Sequence, residues 1–118
     1  MARPSAASAS EAVSGSSPTD SAEAFAEAVL AVVADIPEGC ALSYGQVASI
    51  IGSKSARGVG RVMAQYGHAV PWWRVVRSGG LPPTGHEDRA LEHYEAEGTP
   101  IVPMSGGRYR LGREALLY

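Results

Sequence analysis

The sequence of 118 residues holds one cysteine, Cys40. An intramolecular disulfide is therefore excluded, and so is a cysteine-rich metal site. Three scattered histidines, His68, His86 and His93, do not make up the deficit. His86 and His93 can share a helix face, but tetrahedral zinc needs further ligands, so neither a metal nor a cofactor is expected. No apolar run reaches membrane-spanning length. The N-terminus lacks a charged start followed by an apolar core, so no signal peptide is expected and the cytoplasm is the expected compartment. Acidic residues are missing from one long stretch. None lies between Glu38 and Glu87, although Lys54, Arg57, Arg61, Arg74 and Arg77 do. The net charge of −2 argues against bulk attraction to a polyanion. A basic patch on a weakly acidic chain is nevertheless a usable electrostatic footprint.

What is present reads as one domain with one modest core. Residues 1–19 are rich in Ala, Ser and Pro, without periodicity, and are expected to be a disordered tail because they bury too little surface to offset ordering. The domain is expected over 20–118. Asp20 with Glu23 resembles a capping box, and Phe25, Val29, Val32 or Val33, and Ile36 recur at helical spacing until Pro37-Glu38-Gly39. Ser43 can cap a second helix over Tyr44 to Ile51, with Val47, Ile50 and Ile51 as its apolar positions. Gly52-Ser53-Lys54 is a turn, and a third helix is expected from Ser55 to Tyr66. Two short helices joined by a tight turn signal a helix-turn-helix. Gly58 and Gly60 each lower helix stability by roughly 1 kcal/mol relative to Ala, which suggests a close backbone approach. Ser55, Ala56, Gly58 and Arg61 can form a flat, small, basic outer face. Residues 77–85 form a breaker-rich loop, either an adaptable lid or a plain connector. Asp88 to Glu97 reads as a helix, and Ile101-Val102-Pro103 with Arg108-Tyr109-Arg110-Leu111 reads as a hairpin or wing about Gly106-Gly107. Arg108, Arg110 and Arg113 can touch phosphates or keep the edge soluble.

The stretch Val70-Pro71-Trp72-Trp73-Arg74-Val75-Val76 organises the rest. Pro71 makes a rigid entry and disfavours helix at Val70. Val75-Val76 reads as a short strand. Neighbours in an extended segment face opposite ways, so one tryptophan can be core while the other meets a ligand. This stretch resembles the active-site loop Pro-Cys-His-Arg-Val-[Val/Ile] of the O6-alkylguanine-DNA alkyltransferases, with Trp72 at the position of the alkyl-accepting cysteine. Such a replacement marks the alkyltransferase-like members of that family. The resemblance runs from about Ala24 to the C-terminus. It implies a mainly α fold with a small β element, a winged-helix-like helix-turn-helix DNA-binding domain.

The resemblance also implies roles. Ala-Arg-x-Val-Gly maps the intercalating arginine to Arg57, and Ser-Tyr-Gly-Gln maps the tyrosine that presses on the target phosphate to Tyr44. The implied DNA-binding set is Tyr44, Ser55, Ala56, Arg57, Gly58, Gly60 and Arg61. The implied alkylguanine pocket is Tyr44, Val70, Pro71, Trp72, Arg74, Arg77 and Ser78. Trp73 departs from the family's histidine, Tyr66 falls near the place of its orienting asparagine, and Glu97 stands where the enzymes carry a glutamate beside that histidine. Covalent transfer needs an activated thiolate, and nucleophile, base and orienter are all replaced. The implied activity is therefore non-catalytic: a monomer that flips O6-alkylguanine from double-stranded DNA and marks it for nucleotide excision repair proteins. A winged-helix regulator reading the major groove would want Asn, Gln or several Arg on the third helix, which offers mostly Gly, Ala and Val. A protein-contact module using the tryptophans leaves the acid-free span unexplained, and transfer through Cys40 lacks a nearby base.

Overall fold

The computed structural model describes residues 18–117, with side chains described from Ala22 onward. Most of the expected tail lies outside the described residues. Pro18 and Thr19 instead open helix α1, Pro18–Ala34, so Asp20 sits inside the first turn rather than at the cap. Proline is tolerated there because an N–H at that position has no intrahelical partner. Val29 and Val33 are fully buried and Ile36 nearly so.

The chain then forms strand β1 (Leu42–Ser43), helix α2 (Tyr44–Ile50), helix α3 (Ala56–Tyr66), strand β2 (Val75–Val76), helix α4 (Glu87–Glu97), and strands β3 (Ile101–Pro103) and β4 (Tyr109–Leu111). Ser43 caps α2 as expected. Its Oγ accepts from the Gln46 N–H at 3.1 Å, and the Gln46 side chain accepts the Ser43 N–H at 2.8 Å, a reciprocal capping box. Val47 is buried, but Ile50 is 49% exposed, so the apolar stripe of α2 is narrower than its sequence suggests. Strands β3 and β4 pair antiparallel in the expected hairpin. Strand β1 was not foreseen. It pairs parallel with β2, Leu42 opposite Val75 and Ser43 opposite Val76.

That two-residue ladder divides the core. Alternation along β2 sends Val75 into the cluster made by α1, α2 and α3, and Val76 into a second cluster with Ala90, Tyr94, Tyr109 and Leu111. Each fully buried valine is worth about 1.5–2 kcal/mol of hydrophobic transfer. The residues just before β2 therefore lie at the seam between the two halves.

Candidate nucleic-acid interface

Helix α3 is positioned from both ends and from below. Gly52 takes a positive φ of +77°, and the Ser53 N–H returns to the Ala48 carbonyl at 2.9 Å, closing the turn after α2. Ser55 caps α3 by accepting the Gly58 N–H at 2.8 Å. Val59 and Val62 hold the core side. Gly58 also faces inward, contrary to its expected place on the outer face. A Cβ there would lie 2.7 Å from the Ser55 hydroxyl and 3.3 Å from the Phe25 ring. The close approach it permits is to α1. Gly60 is different: a Cβ there would meet nothing within 4 Å. Ser55, Ala56, Arg57 and Arg61 are exposed, as is Ala64. Ala56, Gly60 and Ala64 follow one another at intervals of four, which stacks them in a row of small residues flanked by Arg57 and Arg61.

The tryptophan pair sits in a 3₁₀ turn, Trp72–Arg74, rather than in an extended segment. Pro71 starts it, and the Arg74 N–H returns to the Pro71 carbonyl at 3.1 Å. The two rings still diverge, with an interplanar angle of 88° and centroids 5.6 Å apart. Trp73 stacks on His93 at 3.6 Å with an interplanar angle of 5°. Its indole N–H donates to Glu97 Oε2 at 2.8 Å. Arg74 forms an ion pair with Glu97 at 2.5 Å and donates from Nη1 to the Ile36 carbonyl at 2.8 Å. Glu97 Oε1 also accepts the Gly39 N–H at 3.1 Å. Burial alone would raise the Glu97 carboxyl, but hydrogen bonds from Arg74, Gly39 and Trp73 outweigh it and hold the group below the usual range. The Tyr94 hydroxyl donates to the Trp73 carbonyl at 2.5 Å, and burial raises that phenol far above its ordinary value. Glu97, at the end of α4, thus fixes both the loop after α1 and the tryptophan turn.

Trp72 lines a cleft of about 460 Å³ between α3 and α4. Tyr44 from α2 and Gly60, Met63 and Ala64 from α3 form one side. Gly67 and His68 follow α3, and Arg77, Pro83, Thr84, His86 and Arg89 close the other side. Burial raises the Tyr44 phenol despite the opposing charge of Arg77. Trp72 is braced by its partner indole, by His86 at 5.5 Å and by His93 at 5.7 Å, with the Arg89 guanidinium 6.0 Å from the ring centre.

Of the residues expected to form the pocket, the structure brings together Tyr44, Trp72 and Arg77. It does not bring Val70, Pro71, Arg74 or Ser78 to the cleft. Val70 packs on the helical cluster. Pro71 is half-buried at the entry to the turn, and Arg74 is taken up by Glu97 on the far side. Ser78 lines a separate, smaller cavity beside Ser43 and Gly79. The loop after β2 is braced rather than open. The Arg77 N–H and the Leu81 carbonyl pair at 2.7 Å, and Gly80, at φ +83°, packs where a Cβ would stand 3.0 Å from the Leu111 carbonyl. Sequence reasoning missed Met63, Ala64, His68, Arg89 and the placement of His86. Their signal was weak: His86 and Arg89 are three apart where α4 begins, visible only once the helix start is known. Tyr66 is 43% exposed and belongs to neither core nor cleft.

The family model for the DNA-binding domain of 6-O-methylguanine DNA methyltransferase matches residues 24–99. This chain belongs to that family. It is 39% identical over 84 residues to a DNA base-flipping protein of Escherichia coli, a match spanning 67% of this chain and 65% of that relative, somewhat under two thirds of its length. It is 35% identical over 94 residues to alkyltransferase-like protein 1 of Schizosaccharomyces pombe, covering 74% of this chain and 87% of that one. Among solved structures it is similar to S. pombe Atl1 in complex with damaged DNA containing O6-carboxymethylguanine. That match has a TM-score of 0.73 and 33% identity, over 81% of this chain and 96% of that one. A methyltransferase of the family, from Mycobacterium tuberculosis, matches at a TM-score of 0.51 and 28% identity, over 76% of this chain and 52% of that one. The named relatives of the chain include alkyltransferase-like and base-flipping members of the methyltransferase family as well as an enzyme. Among the described residues, no group of three or more His, Cys, Asp or Glu is placed to hold a metal, and no helix is long and apolar enough to cross a membrane.

Proposed function

We propose that this chain is a non-catalytic sensor of DNA damage, which binds duplex DNA with α3 in the minor groove and holds a flipped O6-alkylguanine against Trp72. The observation that carries the reading is the position of the cleft: Gly60 and Ala64, on the exposed row of α3, are also its lining, together with Trp72. A base leaving a duplex that rests on α3 has a short path into it. The small row lets the helix seat deeply, and Arg57, exposed at its start, fills the vacated stack. Extrusion costs a few kcal/mol and less for a weakened pair, which biases it toward damaged bases. The adduct then buries apolar surface against the indole, at about 25 cal/mol per Å².

No alkyl transfer accompanies binding in this reading. Trp72 stands where the enzymes of the family carry their acceptor cysteine. Trp73, held by Glu97 and His93, fills the place of the base. Cys40 packs on the helical cluster and does not line the cleft. The domain, which α1 opens at Pro18, acts in the cytoplasm as a monomer, and the persistent complex is handed to nucleotide excision repair proteins. The test is a titration of the full chain with two duplexes, identical except for one O6-methylguanine, at two salt concentrations, followed by mass spectrometry of the protein. Selective binding of the lesion duplex without a methyl adduct is the expected result. Equal, salt-sensitive binding to both would return the chain to a general DNA-binding domain. A methyl group on Cys40 would make it an enzyme.

A further inference from the structure

The cleft has an electrostatic character that recognition of a neutral alkyl group does not require. Arg77 and Arg89 both line it, with His68 and His86, and none of its lining residues is a carboxylate. Arg77 is clamped in place: its Nε donates to the Pro82 carbonyl at 2.8 Å, inside the turn that Gly80 seats on β4. Arg89 stands over the Trp72 ring. Neither arginine has an ion-pair partner among the described residues. Glu87 lies close enough to Arg77 to feel its charge, but it does not line the cleft. Asp88, its exposed neighbour, does not line it either. An apolar pocket for a methyl group needs no such wall. Moreover, any anion carried into a protein–DNA complex is repelled by the phosphates around it, so a neutral pocket would select against one.

Resting on the flipped-base reading above, we infer that the cleft prefers O6-adducts ending in an acid group to neutral adducts of the same size, with Arg77 and Arg89 as the counter-ions. A carboxylate on the adduct replaces solvent at the guanidinium groups and gains charge-assisted hydrogen bonds that an amide cannot match. Two cations at the edge of a partly solvated cleft make this a difference of about tenfold in affinity, declining as salt rises.

The experiment titrates the full chain with four duplexes that differ at one base: guanine, O6-methylguanine, O6-carboxymethylguanine and O6-carbamoylmethylguanine. The last two are isosteres that differ by one charge. The acid is expected to bind about tenfold more tightly than the amide, and the ratio is expected to fall toward one in Arg77→Gln and Arg89→Gln. Equal affinity for acid and amide, with O6-methylguanine still preferred to guanine, overturns the charge preference and leaves the flipped-base reading standing. Equal affinity for all four duplexes overturns both. Variants that weaken all duplexes alike while keeping the acid-to-amide ratio would make the two arginines phosphate contacts and overturn their assignment. The comparison in the unaltered chain decides the matter even if a variant does not fold.

Discussion

At the scale of single residues, side chains adjacent in sequence divide into two classes. Trp72 faces the cleft, while Trp73 and Arg74 are consumed by Glu97. Glu97→Ala leaves the Arg74 guanidinium, 12% exposed, without its carboxylate, and removes acceptors from Trp73 and Gly39. The loss is expected to be about 2–3 kcal/mol, read as a lower urea midpoint with an unchanged slope. Arg57 makes the opposite prediction. It is exposed, so Arg57→Ala is expected to leave the midpoint within about 0.5 kcal/mol while weakening lesion-duplex binding by roughly tenfold or more. Unchanged affinity would remove its role as the residue that fills the stack. Both residues were singled out from sequence, and the resemblance set Glu97 beside the position of Trp73, but the pairing of Glu97 with Arg74 and with the Gly39 N–H was not anticipated. Nothing in the spacing of Arg74 and Glu97 says that the end of α4 returns to the tryptophan turn.

At the scale of elements, α3 carries two glycines with opposite reasons for being glycine. Gly58 is buried against Phe25 and against its own capping serine, whereas Gly60 opens onto the cleft. Gly58→Ala must displace Ser55 or the Phe25 ring and is expected to destabilise the fold by about 1–2 kcal/mol. Gly60→Ala gains helix propensity without a clash and is expected to raise stability by about 0.5–1 kcal/mol. It is also expected to weaken DNA binding, because the added methyl stands on the row that seats in the groove. Thermal unfolding and duplex titration of the two variants separate these effects, and a Gly60→Ala protein that binds DNA normally would show that α3 does not sit deeply. The helix itself and its turn were legible from Gly52 and the apolar spacing, whereas Ser55, read as the helix's first residue and part of its outer face, is its cap. The orientation of Gly58 was not, because only the packing of α1 reveals which side of α3 is crowded.

For the whole molecule, stability is expected to hold a plateau around neutral pH and to fall on both sides. Glu97 titrates below its ordinary range when folded. Its contribution is therefore complete above the unfolded glutamate value of about 4.3 and is lost as pH falls through the lower folded value. On the alkaline side, burial raises the Tyr109 phenol to about 12, helped by the charges of Glu87, Asp88 and Glu95. Its contribution is complete below the unfolded tyrosine value of about 10 and is lost as pH rises through the folded one. Urea midpoints measured across pH check both limbs. In Glu97→Gln the acid limb should flatten, and an acid limb of unchanged depth would assign it to other carboxylates.

The sequence by itself determined the local elements: the Ser43 cap, apolar periodicity and turn glycines set four helices and a hairpin to within a few residues, because those signals act through neighbours in the chain. It also marked Trp72, Tyr44 and Arg57, since the motifs around them are short and contiguous. Tertiary structure decided everything that needs two distant segments. Strand β1 exists because Leu42 and Ser43 meet Val75 and Val76, and its residues carry no strand signal of their own. The cleft takes Arg89 from α4 and His86 from the residue that precedes it, and loses Arg74 to Glu97 at the other end of that helix. A charge or a ring acquires its role from what is packed opposite it, and that neighbour is written elsewhere in the chain.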